Sequence, residues 1–418
     1  MDVLSPWNEE KKSRINYFSF SLYINIMVPV SSYPYSVNLN SFSGNAQNLR
    51  WSIEEQLDSY VWLVNLLSNY KKDKSKGIVH MDGYGRSGLS GDIWENNLEN
   101  VGIRAVQYLR GRATAWEKGD TYGVLSGAGD KKSHIERLTT ARTDGVINWC
   151  QTSTPDAPIT KLCEKAMIVP GREEQIPERE QSTMAIAPLG TYTELSFSSN
   201  GVIIPLSVHE VLNSKEDAHE IIRENARKVT DYISNVTYEM TKRENREKVR
   251  PIIEEGVEKE MLLISGFGPG VPVCSMDEIR IMHAGFDGRE KSVYFIGIEK
   301  FWDIDQKIKQ FGDQVSKKVG AILFVDKYFL DESSPFNGVK LIDYLYEKKV
   351  DIYSVLSVEN KNVQEKSKCS VVFSGYSEKI GDNKEIDFSI LGFMTIGDAI
   401  VCCWSPEAEM RRRHRKAE

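Results

Sequence analysis

Short apolar runs alternate with amphipathic helical stretches from Val79 to Gly171, and that alternation leaves few folds open. The run "VHMD" (79–82) passes directly into a glycine-rich turn at 83–88, after which Leu89, Ile93, Leu98 and Val101 recur at roughly helical spacing. "TYGVLSG" (121–127), "VINWC" (146–150) and "KAMIVPG" (165–171) read as buried strands, and 131–145 as a helix stopped by Gly145. Strands and helices alternating in units this short imply a parallel sheet covered on both faces. Ligands of such sheets gather off the carboxyl ends of the strands, so the loops 83–87, 126–131 and 152–156 are expected to meet on one rim.

The glycine turn itself suits an anion. Gly83 and Gly85 allow a tight bend and a close backbone approach, while Arg86 and Ser87 sit where a helix N-terminus leaves N–H groups unpaired. Upstream, a helix is expected to start near Ser52, capped by that side chain with Glu55 three residues on, and to bury Ile53, Leu57, Val61, Val64 and Leu67.

The stretch 215–260 is highly charged with apolar residues at helical spacing, as expected of long helices joining two domains. A second α/β pattern then starts at "KSVYFIG" (291–297). "VINWCQTSTPDAPITKLCEKAMIVPG" and "DIYSVLSVENKNVQEKSKCSVVFSG" share the order strand, polar loop, short helix, strand at nearly equal length, which suggests an internal duplication. At the place taken to match "GYGRSG", the second half reads "GIEKFW" (297–302), with one glycine, no serine and Glu299. This half is expected to bind no such anion. The boundaries expected are an N-terminal extension at 1–35, a first α/β domain at 36–212, a charged helical linker at 213–260, a degenerate second domain at 261–406 and a basic tail at 407–418.

Five motifs in the first domain carry a resemblance: "GYGRSG" (83–88), "GDTYGVLSGAGD" (119–130), "QTSTPDAPITKL" (151–162), "MIVPGR" (167–172) and "APLGTYTELS" (187–196). In order and spacing the segment 37–211 resembles a sugar-isomerase (SIS) domain, and among these it is most similar to 3-hexulose-6-phosphate isomerases. The resemblance implies a three-layer, flavodoxin-like domain with a parallel sheet, followed here by a second, degenerate SIS-like domain. It implies a sugar phosphate as ligand, held at Gly85, Arg86, Ser87, Ser126, Gly127, Gly129, Lys131, Thr152 and Ser153. It further implies a ketose isomerase working through an enediolate, with Glu194 as base and His134 the better placed of the histidines to assist. SIS domains commonly associate in pairs, so homo-oligomers are expected through them.

Four positions depart from that pattern. Ala128 and Lys131 stand where hydroxyl residues are usual, Asn100 where a histidine is, and Asp82 where a small or apolar residue precedes the glycine turn. Lys131 could supply charge in place of the hydroxyls. Asparagine cannot carry a proton at neutral pH, so a non-catalytic phosphosugar-binding regulator or sensor is the alternative reading. His80, inside a strand, reads as packed, and His209 and His219 belong to the end of the first domain and the linker.

A net charge of −7 argues against a general nucleic-acid binder, and the basic "RRRHRKAE" terminus reads as a solvated tail. The six cysteines show no CxxC spacing and read as small buried hydrophobes of a reducing, cytoplasmic setting. No His/Cys/Asp cluster has metal-ligand spacing, so neither a metal nor another cofactor is expected. The aromatic run at 16–30 is shorter than the ~20 apolar residues a membrane helix needs, so no membrane partner is expected either.

Overall fold

The computed structural model describes residues 33–73, 77–108, 115–171, 191–256, 258–266, 271–276, 292–295, 308–331, 338–381 and 384–404. Helices α1 (Tyr33–Glu55) and α2 (Leu57–Lys72) lead into strand β1 (Val79–Asp82), helix α3 (Arg86–Asn100) and strands β2 (Ala105–Gln107) and β3 (Thr121–Leu125). Helix α4 (Lys132–Thr143) and strands β4 (Ile147–Thr152) and β5 (Lys165–Ile168) complete the first sheet. Its order is β2-β1-β3-β4-β5, parallel throughout. The long helices α5 (Thr191–Asn213), α6 (Ala218–Thr241) and α7 (Arg243–Gly256) carry the chain to the second sheet.

That sheet comprises β6 (Met261–Gly266), β7 (Ser292–Phe295), β8 (Val319–Val325), β9 (Asp351–Leu356) and β10 (Cys369–Val372), with α8 (Gly338–Glu347) and α9 (Lys361–Lys366) between its later strands. Its order, β7-β6-β8-β9-β10, is again parallel and repeats the first. An antiparallel hairpin of β11 (Ser377–Gly381) and β12 (Lys384–Asp387) precedes the final helix α10 (Ser389–Cys402). The strand order 2-1-3-4-5 in each half is the flavodoxin-like one.

Alternation along the strands decides the layering. Val79 and Met81 of β1 and Trp149 of β4 join one large apolar cluster, to which the second sheet contributes Leu262, Ile264, Ile322 and Phe324. Residues of α2, α3, α5, α6 and α10 fill the space between, including Leu63, Trp94, Ile203, Ile233 and Phe393. The opposite strand faces bury smaller clusters of their own, Tyr122, Val124 and Cys150 against Leu138 of α4, and Leu263, Ala321 and Leu323 against Leu341 and Leu345 of α8. Within this unit the charged helices at 213–260 therefore carry a buried stripe, Ile221, Ile222, Val229, Ile233 and Val236, with their charges on the other side.

Two local expectations are corrected. Ser52 lies in the last turn of α1, not at a helix start, because its hydroxyl donates to the carbonyl of Ile168 instead of capping. The chain breaks at Gln56, whose side-chain amide donates to that same carbonyl at 2.8 Å and accepts from the Ile168 N–H at 2.7 Å. The second sheet begins not at 291–297 but at β6, which was hidden because it abuts the charged helices. Ser292–Phe295 pairs outside β6 as β2 does outside β1, so "GIEKFW", which lies outside the described residues, is not the counterpart of the first glycine turn. β6 ends at Gly266, and the residues that follow it, Phe267, Gly268, Pro269 and Gly270, lie outside the described residues.

The seam between α3 and α5 sets the first half's geometry. Trp94 donates to the Phe197 carbonyl at 2.9 Å, Asn97 to that of Gly201 at 2.9 Å, and a Cβ on Gly201 would stand 2.8 Å from the Trp94 ring. Trp94 is fully buried and also packs on Trp149, ring centroids 5.3 Å apart. Trp94→Ala is expected to cost about 3–5 kcal/mol of stability, the range for emptying a buried aromatic site. Urea unfolding measures it, and a loss no larger than that of a surface substitution would show that this seam is dispensable.

Candidate functional site

The carboxyl ends of β1, β3, β4 and β5 deliver their loops to one place, the first turn of α5. From β1 comes the glycine turn, where Gly85 adopts φ +57° and caps α3. A Cβ on Gly83 would lie 2.7 Å from the Ser87 carbonyl carbon, and one on Gly88 2.6 Å from the Gly83 oxygen, so neither place admits a side chain. This tight turn sends Arg86 toward α5, where its Nη2 lies 3.6 Å from Glu194 Oε2 with both side chains about nine-tenths buried. Arg86 Nη1 has no hydrogen-bond partner among the described residues.

The loops after β3 and β4 close on each other. Thr152 Oγ1, Ser153 Oγ and Thr154 Oγ1 lie 2.8, 2.9 and 3.2 Å from the Gly127 carbonyl oxygen, and the Ser153 N–H also donates to it. Ser126 Oγ accepts the N–H of Gly129, which holds φ +63°. A Cβ on Gly127 would meet the Thr193 methyl at 3.6 Å, and one on Gly171, after β5, would stand 2.6 Å from Thr193 Oγ1. Thr193 precedes Glu194. The structure thus brings Arg86, Gly127, Ser153 and Glu194 around one helical turn, with Ser126, Gly129 and Thr152 just behind the rim and Gly85 and Ser87 partly exposed on it.

His134 lies elsewhere. Asp82 alternates with Met81 and points to the opposite face of the sheet, where it is fully buried beneath α4. His134 Nε2 lies 3.7 Å from Asp82 Oδ1, Arg137 Nε lies 2.9 Å from Oδ2, and the Tyr122 hydroxyl donates to Oδ2. Burial by itself would raise the Asp82 pKa, but His134, Tyr122 and the Arg137 charge outweigh it and hold the carboxyl below its ordinary range. The sheet separates His134 from Glu194. His80 is packed, as its strand position suggests, with Nε2 2.9 Å from Asp120, a carboxylate that also accepts the N–H groups of Ile78 and Glu117. Asn100 stands fourteen residues along α3 from Arg86, about 21 Å at 1.5 Å per residue, and donates to the Glu385 carbonyl at 3.2 Å. Lys131 is exposed at the start of α4, its ammonium 4.4 Å above the Tyr84 ring. Sequence reasoning singled out neither Tyr84 nor Arg137, although a tyrosine inside a glycine turn was a visible signal.

The second sheet repeats the turn after its central strand with opposite electrostatics. Asp326 is the first residue beyond β8, as Ser126 is beyond β3, and its Oδ1 accepts the N–H of Phe329 at 2.7 Å just as Ser126 accepts that of Gly129. Asp326 is 1% exposed, and its Oδ2 has no hydrogen-bond partner among the described residues. Burial pushes this carboxyl up to about 7, and nearby Asp387 adds to the shift while the Phe329 N–H opposes it. Beside it, Glu385 of the hairpin takes Lys327, the Tyr328 hydroxyl at 2.6 Å and the Ser377 hydroxyl at 2.9 Å. Among the described residues no group of three or more His, Cys, Asp or Glu side chains could hold a metal ion, and no described helix is long and apolar enough to cross a membrane.

Comparison with known proteins extends this picture. No family model matches the chain. A 146-residue stretch is 28% identical to an uncharacterised protein of Aeropyrum pernix, spanning 33% of this chain and 66%, just under two thirds, of that protein. Solved structures match over nearly the whole chain. The C-terminal domain of glucosamine-fructose-6-phosphate aminotransferase from Francisella tularensis superposes with a TM-score of 0.61 at 13% identity, covering 88% of this chain and 95% of that one. A tagatose-6-phosphate ketose/aldose isomerase from Escherichia coli gives 0.59 at 10% identity, with 89% and 93% covered. A putative tagatose-6-phosphate ketose/aldose isomerase from Clostridium novyi gives 0.62 at 11%, with 90% and 89% covered. At such identities the likeness is one of fold: the chain has the parallel-sheet, flavodoxin-like α/β fold of SIS domains.

The Asp326 carboxyl carries a pH signature. With its folded pKa above the unfolded value of ~3.9, the folded chain binds more protons between the two, so stability falls as pH rises through that window. Asp326→Asn keeps the Phe329 hydrogen bond and removes the titration. Its melting temperature relative to the unsubstituted protein is expected to rise more at pH 8 than at pH 5, and an equal gap at both would refute the assignment.

Proposed function

We propose that the chain is a phosphosugar isomerase of the ketose/aldose kind, with Glu194 as the base that moves a carbon-bound proton through an enediolate. The observation that carries the reading is the placement of Glu194, nine-tenths buried on the turn where the four strand-end loops meet, beside Arg86. The residues give each group a task. The amides at the start of α3, with Ser87 and the hydroxyls of Ser126, Thr152 and Ser153, hold the phosphate without a metal. Glu194 takes the proton from one carbon and returns it to the next. Arg86 places a cation where negative charge develops on the enediolate oxygens. The similarity of the motifs to 3-hexulose-6-phosphate isomerases points to a ketose phosphate as substrate. The second half, from about residue 261, is read as a companion that binds no phosphosugar, since a buried carboxylate, Asp326, stands where the first half has a hydroxyl. Homo-oligomers and a cytoplasmic setting belong to the same reading.

A thermal-shift screen with fructose 6-phosphate, glucose 6-phosphate and related compounds, followed by a coupled isomerase assay, tests it. Glu194→Gln is expected to keep the fold and ligand binding but to lose about 10²- to 10⁴-fold in turnover, the usual range for a general acid-base group. An unchanged rate removes Glu194 from the chemistry, and binding without turnover in the unsubstituted protein makes the chain a sensor of sugar phosphates.

A further inference from the structure

The glycine turn carries a side chain that its anion-binding role does not need. Tyr84, between Gly83 and Gly85, reaches across to α4, where its hydroxyl accepts from Arg137 Nη2 at 2.9 Å and its ring lies against His134 at 4.9 Å between centroids. The Arg137 guanidinium spans two elements, with Nε 2.9 Å from Asp82 at the end of β1 and Nη2 on Tyr84 in the turn that follows. Above the same ring sits the Lys131 ammonium, at 4.4 Å. A lysine at the start of a helix otherwise sweeps a wide volume, and the face of an aromatic ring restricts it. Asp82 presents a second problem for this rim, because a bare carboxylate beneath the turn would repel an anion bound above it. Arg137 neutralises that carboxylate from within the fold.

We propose that Tyr84 is a latch fixing the glycine turn against the start of α4, and that Arg137, braced on Asp82, is the positioning residue that holds it and shields the rim from the Asp82 charge. The latch sets anion affinity at this rim by holding two of its loops, and Lys131, in register. The affinity part of the proposal rests on the reading of this rim as a phosphate site. The latch itself does not.

Two measurements on the full chain separate these parts: isothermal titration with inorganic phosphate and with fructose 6-phosphate, and amide hydrogen exchange over residues 83–88. Tyr84→Phe removes only a hydroxyl, keeps the ring beneath Lys131, and is expected to weaken both ligands about tenfold, as for loss of a hydrogen bond to a charged group. Arg137→Met is expected to weaken them further by exposing the rim to Asp82, with Arg137→Lys recovering part of the loss through its charge. Exchange over 83–88 is expected to quicken in all three. Should Arg137→Met fail to fold, Tyr84→Phe alone decides. Affinity and exchange both at the original level in Tyr84→Phe would overturn the latch. If the unsubstituted protein binds neither ligand, the phosphate reading falls, and faster exchange in Tyr84→Phe upholds the latch while unchanged exchange overturns it.

Discussion

The packing of α5 on α3 is the contact on which the rest of the first half depends. Gly201 lets the two backbones close until Trp94 and Asn97 bond to carbonyls of α5 at Phe197 and Gly201. Those bonds fix the axial register of the helices, and the register decides which residues of their first turns meet. A slip of one residue would rotate Glu194 by about 100° around α5 and take it away from Arg86. The seam thus fixes the polar geometry within about two turns of it.

Much of this was legible in the chain, and what was not had physical causes. Strands β3, β4 and β5 are short, largely buried runs bounded by glycine or polar loops, which marked their stops. The glycine turn announced itself through Gly83, Gly85 and Gly88, of which packing excludes a side chain at 83 and 88 and a positive φ favours glycine at 85. Strand β6 was not read as a strand, although Gly256 closes the charged helix shortly before "MLLISG", because a short apolar run beside a helix has no period of its own. Ser52 shows the same weakness in reverse. Its capping pattern was real as a pattern, yet a tertiary bond to Ile168 claimed the hydroxyl and the helix ran on through it. Residue spacing alone could not separate His134 from Glu194, because the two helices that carry them pack on opposite faces of one sheet.

The two halves place opposite electrostatics on one and the same turn. Ser126 and Asp326 begin the same turn after the same strand of the same topology, each accepting an N–H three residues on. One adds a neutral hydroxyl to the rim. The other buries a carboxylate beside a second one, Asp387, and the adjoining cation Lys327 is taken up by Glu385 of the hairpin. Fold is indifferent to this exchange because the backbone turn is satisfied either way.

Gln56 has a further consequence for the life of the protein in a crowded solution. Strand β5 borders the first sheet, and an exposed border strand is a template on which another chain can add. The Gln56 amide occupies the Ile168 N–H and C=O together, and Ser52 adds a second bond to that carbonyl. One side chain at a helix break thereby does the work of a neighbouring strand at the end of β5. The interruption between α1 and α2 thus gives this border backbone partners of its own at Ile168.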